Sequence, residues 1–225
     1  MAKNESKVPL HLTKWLAIGG MVGSVLFIPT AFLIGETRDG YSHLSQGISA
    51  LSEVGAPHAW AQTANFIIVG WLLIGLGVGL HRCIGKVSGA VLGPALIATF
   101  GFLALIMNGV FPADPQGAPE TWVGTIHSLT AGLGFIAAIA SMFILPRRFL
   151  KHEEWKNLSS ISRWFGIASI ILMVSYLMAQ EGVVNAWGPW TGLFQRGMGA
   201  AVMVWLFLLA LRLFQTSRES METGS

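Results

Sequence analysis

Six long apolar runs restrict the fold of this chain more than any motif does. They cover about Trp15–Ile34, Trp60–Leu80, Val87–Val110, Val123–Leu145, Trp164–Gln180 and Phe194–Phe214. At about 1.5 Å of rise per residue, such lengths suit a hydrocarbon core of roughly 30 Å. Lipid offers no hydrogen-bond partners to the backbone, so apolar runs of this length predict helices. Composition agrees: 53% of the 225 residues are hydrophobic and 11% are charged, against about 25% charged in soluble domains. Nine Trp and 27 Gly suit membrane interfaces and close helix contacts. The expected fold is all-α: an integral membrane bundle of six transmembrane helices. The first run lacks a small-residue cleavage site and reads as a retained helix, kinked near Pro29.

Basic residues give the expected orientation. Twelve of the fourteen Lys and Arg fall in the N-terminal segment, the turn 81–86, the loop 146–163 and the tail, leaving Arg38 and Arg196 on the other side. By the positive-inside rule, the N- and C-termini are cytoplasmic. The expected organisation is a cytoplasmic segment 1–14, a transmembrane domain 15–214 and a cytoplasmic tail 215–225, in the plasma (inner) membrane. The positive charge sits in these loops, so it carries no nucleic-acid signal. The expected partners are membrane lipids and a small amphiphilic ligand, and a homo-oligomer is compatible with the sequence.

The stretch Asp39–Gly55, DGYSHLSQGISALSEVG, is too polar to cross lipid. Read as a short amphipathic helix in the first outer loop, it puts Leu44, Ile48 and Leu51 on one face. Ser45, Gln46, Ser49, Ser52 and Glu53 then form the opposite face. Ser42 is placed to cap its start, and Gly55 with Pro57 to end it. Its polar face is the first candidate binding surface.

The other ionisable groups near lipid also gather toward the outer loops, not at helix centres. That pattern opposes an ion wire across the membrane and favours a site that opens outward. Asp114 in FPAD and His127 in TIHSL flank one hairpin. A carboxylate beside the imidazole would orient it as a general base; the plainer reading is a hydrogen bond that closes the hairpin. Glu53 is the third candidate catalytic group. With one helical His and no ligand spacing such as HExxH, no metal site and no haem are expected, and no cofactor is implied. Cys83 is the single cysteine and forms no intrachain disulfide. No GxSxG elbow accompanies the serines. Glu181 and Arg196 are expected to pair within the last hairpin; alternatively, Arg196 grips an anionic head group.

These segments resemble a family. ISALSEVGAP before the second run, NGVFPAD ending the third and IHSLTAG opening the fourth are similar to the domain of unknown function 998 proteins, over about residues 15–215. The resemblance implies a six-helix membrane protein, and Ser49, Glu53, Gly55, Asp114 and His127 match the family's recurrent polar positions. It implies no particular chemistry. The leading expectation is a polytopic membrane protein with an outward polar pocket that binds or handles a lipid or small amphiphile. A hydrolase using His127 with Asp114 or Glu53, a transporter, and a structural role stay open.

Overall fold

Apolar runs without β-pattern can satisfy their backbone in lipid only by coiling, and they do so here. The structure, a computed structural model, describes residues 10–84, 91–150 and 153–222. Residues 1–9 of the N-terminal segment, 85–86 of the basic turn, 87–90 of the third run, 151–152 of the next basic loop and 223–225 of the tail lie outside the described residues. Six helices are long and apolar enough to cross a membrane, and there is no strand among the described residues. They are α1 (Leu10–Glu36), α2 (Ala59–Ile84), α3 (Leu92–Val110), α4 (Trp122–Ile144, extended by a turn Pro146–Phe149), α5 (Asn157–Gln180) and α6 (Thr191–Glu222). α1 runs through Pro29 as one helix.

The helices form a ring. Each packs on its sequence neighbours, and α6 closes against α1. Small residues set the distances at which they cross. A Cβ built on Gly70 of α2 would stand 2.6 Å from the Gly101 carbonyl of α3, and one on Gly101 would stand 2.7 Å from the Gly70 carbonyl. A Cβ on Gly134 of α4 would stand 2.6 Å from the Ala104 Cβ of α3 and 2.7 Å from its backbone nitrogen. α5 is turned most toward the surroundings: its small residues Ser159, Ser162, Gly166 and Ser169 face inward, while Trp164, Ile171 and Val174 are exposed.

α3 is not uniform. An α-helical start, Leu92–Phe100, passes into a π-helical stretch, Gly101–Met107, before a last turn, Asn108–Val110. A π turn holds more residues than an α turn and so shifts the face that follows. After it, polar Asn108 is buried, 4% exposed, instead of facing lipid. The widened turn begins at Gly101, where α2 comes closest.

The expected amphipathic helix over 39–55 does not form. That loop is a series of turns with one 3₁₀ turn, Ile48–Ser52. The two expected faces do not form either: Ser52 and Glu53 are buried together with Ile48 and Leu51, while Leu44 is 48% exposed. The reason is competition for the backbone. Carbonyls that an α-helix would use internally are taken by Arg38, just before the loop, and by Arg196 of α6. The expected stop at Gly55 does hold as a turn, with φ +82°, a conformation that glycine adopts without strain.

The Gly70–Gly101 crossing yields a test. Gly101→Val should destabilise the bundle by about 1–3 kcal/mol, because the colliding atom is backbone and has no rotamer to escape into. Gly132→Val should change little, since nothing lies within 4 Å of a Cβ there. Thermal unfolding of both variants in one detergent checks this, and equal losses would refute the close crossing.

Candidate functional site: a cavity beneath the first loop

The end of the bundle that carries residues 37–58, 111–121 and 181–190 is capped by the first loop. Two arginines hold it there. Arg196, in the first turns of α6, donates through Nη1 to the carbonyls of His43 at 2.8 Å and Gln46 at 2.6 Å, and through Nη2 to the Tyr41 hydroxyl. Tyr41 in turn donates to the Gly47 carbonyl at 2.8 Å. Burial pushes the Tyr41 phenol above its usual range even with Arg196 beside it, so it keeps its proton at neutral pH. Arg38 donates to the Ala50 carbonyl and to the Glu53 carboxylate, each at 2.5 Å. Backbone bonds complete the cap: Leu193 N–H to Leu44 O at 2.9 Å, which satisfies one of the orphan donors that open α6, and Val54 N–H to Ala113 O at 3.3 Å. Gly192 permits the close seat, since a Cβ there would collide with the Gln46 carbonyl. The His43 ring stacks on Phe32 with centroids 4.4 Å apart and lies over Gly35.

These bonds revise several expectations. Arg196 does not pair with Glu181, which is exposed at the end of α5. Its fork serves loop carbonyls, which need donors once they leave the helical pattern. Glu53 does not join Asp114 and His127; it is buried, and its charge is matched by Arg38. Asp114 accepts from the Thr121 backbone N–H and hydroxyl, each at 2.7 Å, and Thr121 caps α4 by accepting from Gly124 N–H at 3.2 Å. His127 Nδ1 lies 2.8 Å from the Phe111 carbonyl. Asp114 therefore acts on the imidazole as a nearby charge and not as a hydrogen-bonded orienter. Among the described residues, no three of His, Cys, Asp and Glu come close enough together to hold a metal ion. Of the expected polar face, Gln46 accepts from the Ser42 N–H at 2.8 Å, Ser45 N–H points to the Ser42 hydroxyl at 3.4 Å, and Ser52 donates to the Ser49 carbonyl at 3.1 Å. These contacts keep the loop folded; of the serines named, Ser49 also lines the space below.

That space is a small open cavity of about 40 Å³. Phe27 of α1, Phe66 of α2, Leu105 of α3 and Phe135 of α4 give it apolar walls, and Ile48 and Ser49 of the loop lie over it. Besides Ser49, its polar groups come from three helices: Asn108, His127 and Gln195. Gln195 Oε1 accepts from the Ile48 N–H at 2.5 Å, which joins the cavity wall to the loop. Asn108 Oδ1 accepts from the Thr130 hydroxyl at 2.9 Å. A carbonyl can only accept, so His127 Nδ1 must carry the hydrogen it shares with Phe111. In the neutral ring Nε2 then holds a lone pair; among the described residues only Nδ1 of this ring is hydrogen-bonded, and His127 lines the cavity. An apolar chamber with a few converging polar groups has the form of a small-molecule site.

Sequence reasoning found His127 and Ser49 but missed Asn108 and Gln195 as site residues. Each is an amide within or at the edge of an apolar run, and a polar side chain at such a position is itself a signal. What hid Asn108 was the π stretch, which changes the face it occupies. Arg38 and Arg196, the two basic residues that depart from the charge bias, both clamp the loop.

Arg196→Lys should weaken the cap by about 1.5–3 kcal/mol, because one ammonium cannot reach Tyr41 and two carbonyls together. Faster hydrogen exchange at Gly47 and Ile48 would report this. Thr121 holds the Asp114 carboxyl below its ordinary value of 3.8. A depressed carboxylate stabilises the fold above its unfolded pKa, and that contribution is lost as pH falls through the lower folded value. The Thr121 amide signal should therefore titrate only below about pH 4, and should be flat in that window in Asp114→Asn.

No curated protein and no solved structure matches the chain. A family described as "Protein of unknown function (DUF998)" matches residues 21–212, which takes in α2 to α5 and most of α1 and α6. The chain is a multi-pass membrane protein and belongs to this family.

Proposed function

We propose that the protein binds a lipid or small amphiphile in the cavity beneath the first loop. The observation that supports this is the lining itself: phenylalanine walls for an apolar chain, with Asn108 and His127 turned to a polar head. The bias of basic residues toward the opposite end supports reading the capped end as outward, in the outer half of the inner membrane. Arg38, Glu53 and Arg196 serve this reading as the clamp of the lid, and Asp114 as the brace of the turn between α3 and α4. The tool is a filled cavity. Ala131 lies on the cavity wall, and Ala131→Phe should reduce the lipid retained by purified protein several-fold, as read by native mass spectrometry. Unchanged retention would refute the reading.

A second reading has one observation in its favour. Ser49 and His127 line the same cavity, and an imidazole with a hydroxyl in one cavity are the groups a hydrolase uses as base and nucleophile. Release of fatty acid from phosphatidylglycerol vesicles, lost in both Ser49→Ala and His127→Gln, would establish it over plain binding. Absence of release with lipid still retained would leave binding as the function.

A further inference from the structure

The cavity is more selective than its shape suggests, because of what its polar groups can and cannot do. Among the described residues its lining includes no Asp, Glu, Lys or Arg. The two arginines that hold the loop are engaged: Arg38 with Glu53 and Ala50, Arg196 with Tyr41 and two carbonyls. A phosphate, carboxylate or ammonium entering this apolar space would meet no matching full charge, and an unmatched ion in such a place is strongly disfavoured.

The neutral groups are specified in direction. His127 Nε2 accepts, because Nδ1 is committed as donor to Phe111. Asn108 Oδ1 is committed to Thr130, so its amide nitrogen is the part left to donate. Gln195 is bound to Ile48 and to Tyr176 and is not available in the same way. From its helices the cavity thus offers one acceptor and one donor, on α4 and α3, and the loop adds the Ser49 hydroxyl, which can do either. A hydroxyl is the smallest group that answers both: its proton goes to an acceptor and its oxygen receives from a donor.

Resting on the reading of the cavity as an amphiphile site, we propose that its ligand is an uncharged amphiphile with a hydroxyl head. The hydroxyl donates to His127 Nε2 and accepts from the Asn108 amide, while the chain lies along Phe27, Phe66 and Phe135.

Four probes with one tail and different heads test this by native mass spectrometry of the full-length protein: dodecan-1-ol, dodecyl methyl ether, dodecanoate and dodecylammonium. The last two are used at mildly alkaline pH, where both are charged. Dodecan-1-ol should bind about tenfold more tightly than each of the others, the worth of one buried hydrogen bond or more. The ether keeps the oxygen but has no proton for Nε2, so it isolates the His127 contact without any substitution in the protein. In Ala131→Phe the alcohol signal should fall. Ether or either ion binding as tightly as the alcohol, with all signals lost in Ala131→Phe, would overturn the hydroxyl head and keep the amphiphile site. Binding indifferent to Ala131→Phe, or no binding by any probe, would overturn both.

Discussion

The capped end of this protein depends on one guanidinium. Arg196 sits in the first turns of α6, and its fork reaches three parts of the first loop at once: the His43 carbonyl, the Gln46 carbonyl and the Tyr41 hydroxyl. A loop packed against a helix bundle has carbonyls that no regular element satisfies, and a buried one left bare costs about 1–3 kcal/mol. Arginine is suited to this work because it keeps its charge and offers several donors in a fixed plane. Arg38 does the same at the other end of the loop and uses buried Glu53 to balance its charge. The loop is therefore a fitted cover, and the space beneath it persists because the cover is held from its sides.

The cavity has a second origin in the packing of α2, α3 and α4. Gly70 against Gly101, and Gly134 against Ala104, draw these helices together. The π stretch of α3 then widens the coil between those contacts and turns Asn108 inward. The 111–121 connection contributes the rest. It ends α3, leaves the Phe111 carbonyl for His127, and is braced where Asp114 binds Thr121.

Much of the fold was legible. The six apolar runs became the six helices, because in lipid the backbone has no other way to pair within one segment. The limits were less legible: α5 begins at Asn157 and α6 continues to Glu222, past the ends of their apolar runs, since helix propensity does not stop where lipid does. The site was legible only in part. His127 stood out as a polar residue in an apolar run and Ser49 as part of the polar face expected over 39–55, and both line the cavity. Glu53, Asp114 and Arg196 stood out for similar reasons, yet their partners are Arg38, Thr121 and the loop backbone. A charge near lipid must be matched, and the sequence does not show whether the match is a ligand or another part of the chain.

The sequence by itself determined the class of the molecule: apolar length and scarcity of charge admit a six-helix membrane bundle, and short motifs place it in its family. Tertiary structure alone decided which polar groups meet. Pairing in the first loop rests on contacts across about 150 residues of chain, such as Arg196 with Gln46, and no local pattern encodes them. The helical period predicted for Asp39–Gly55 was a valid local preference, outweighed because distant donors took the carbonyls on which that helix would have depended.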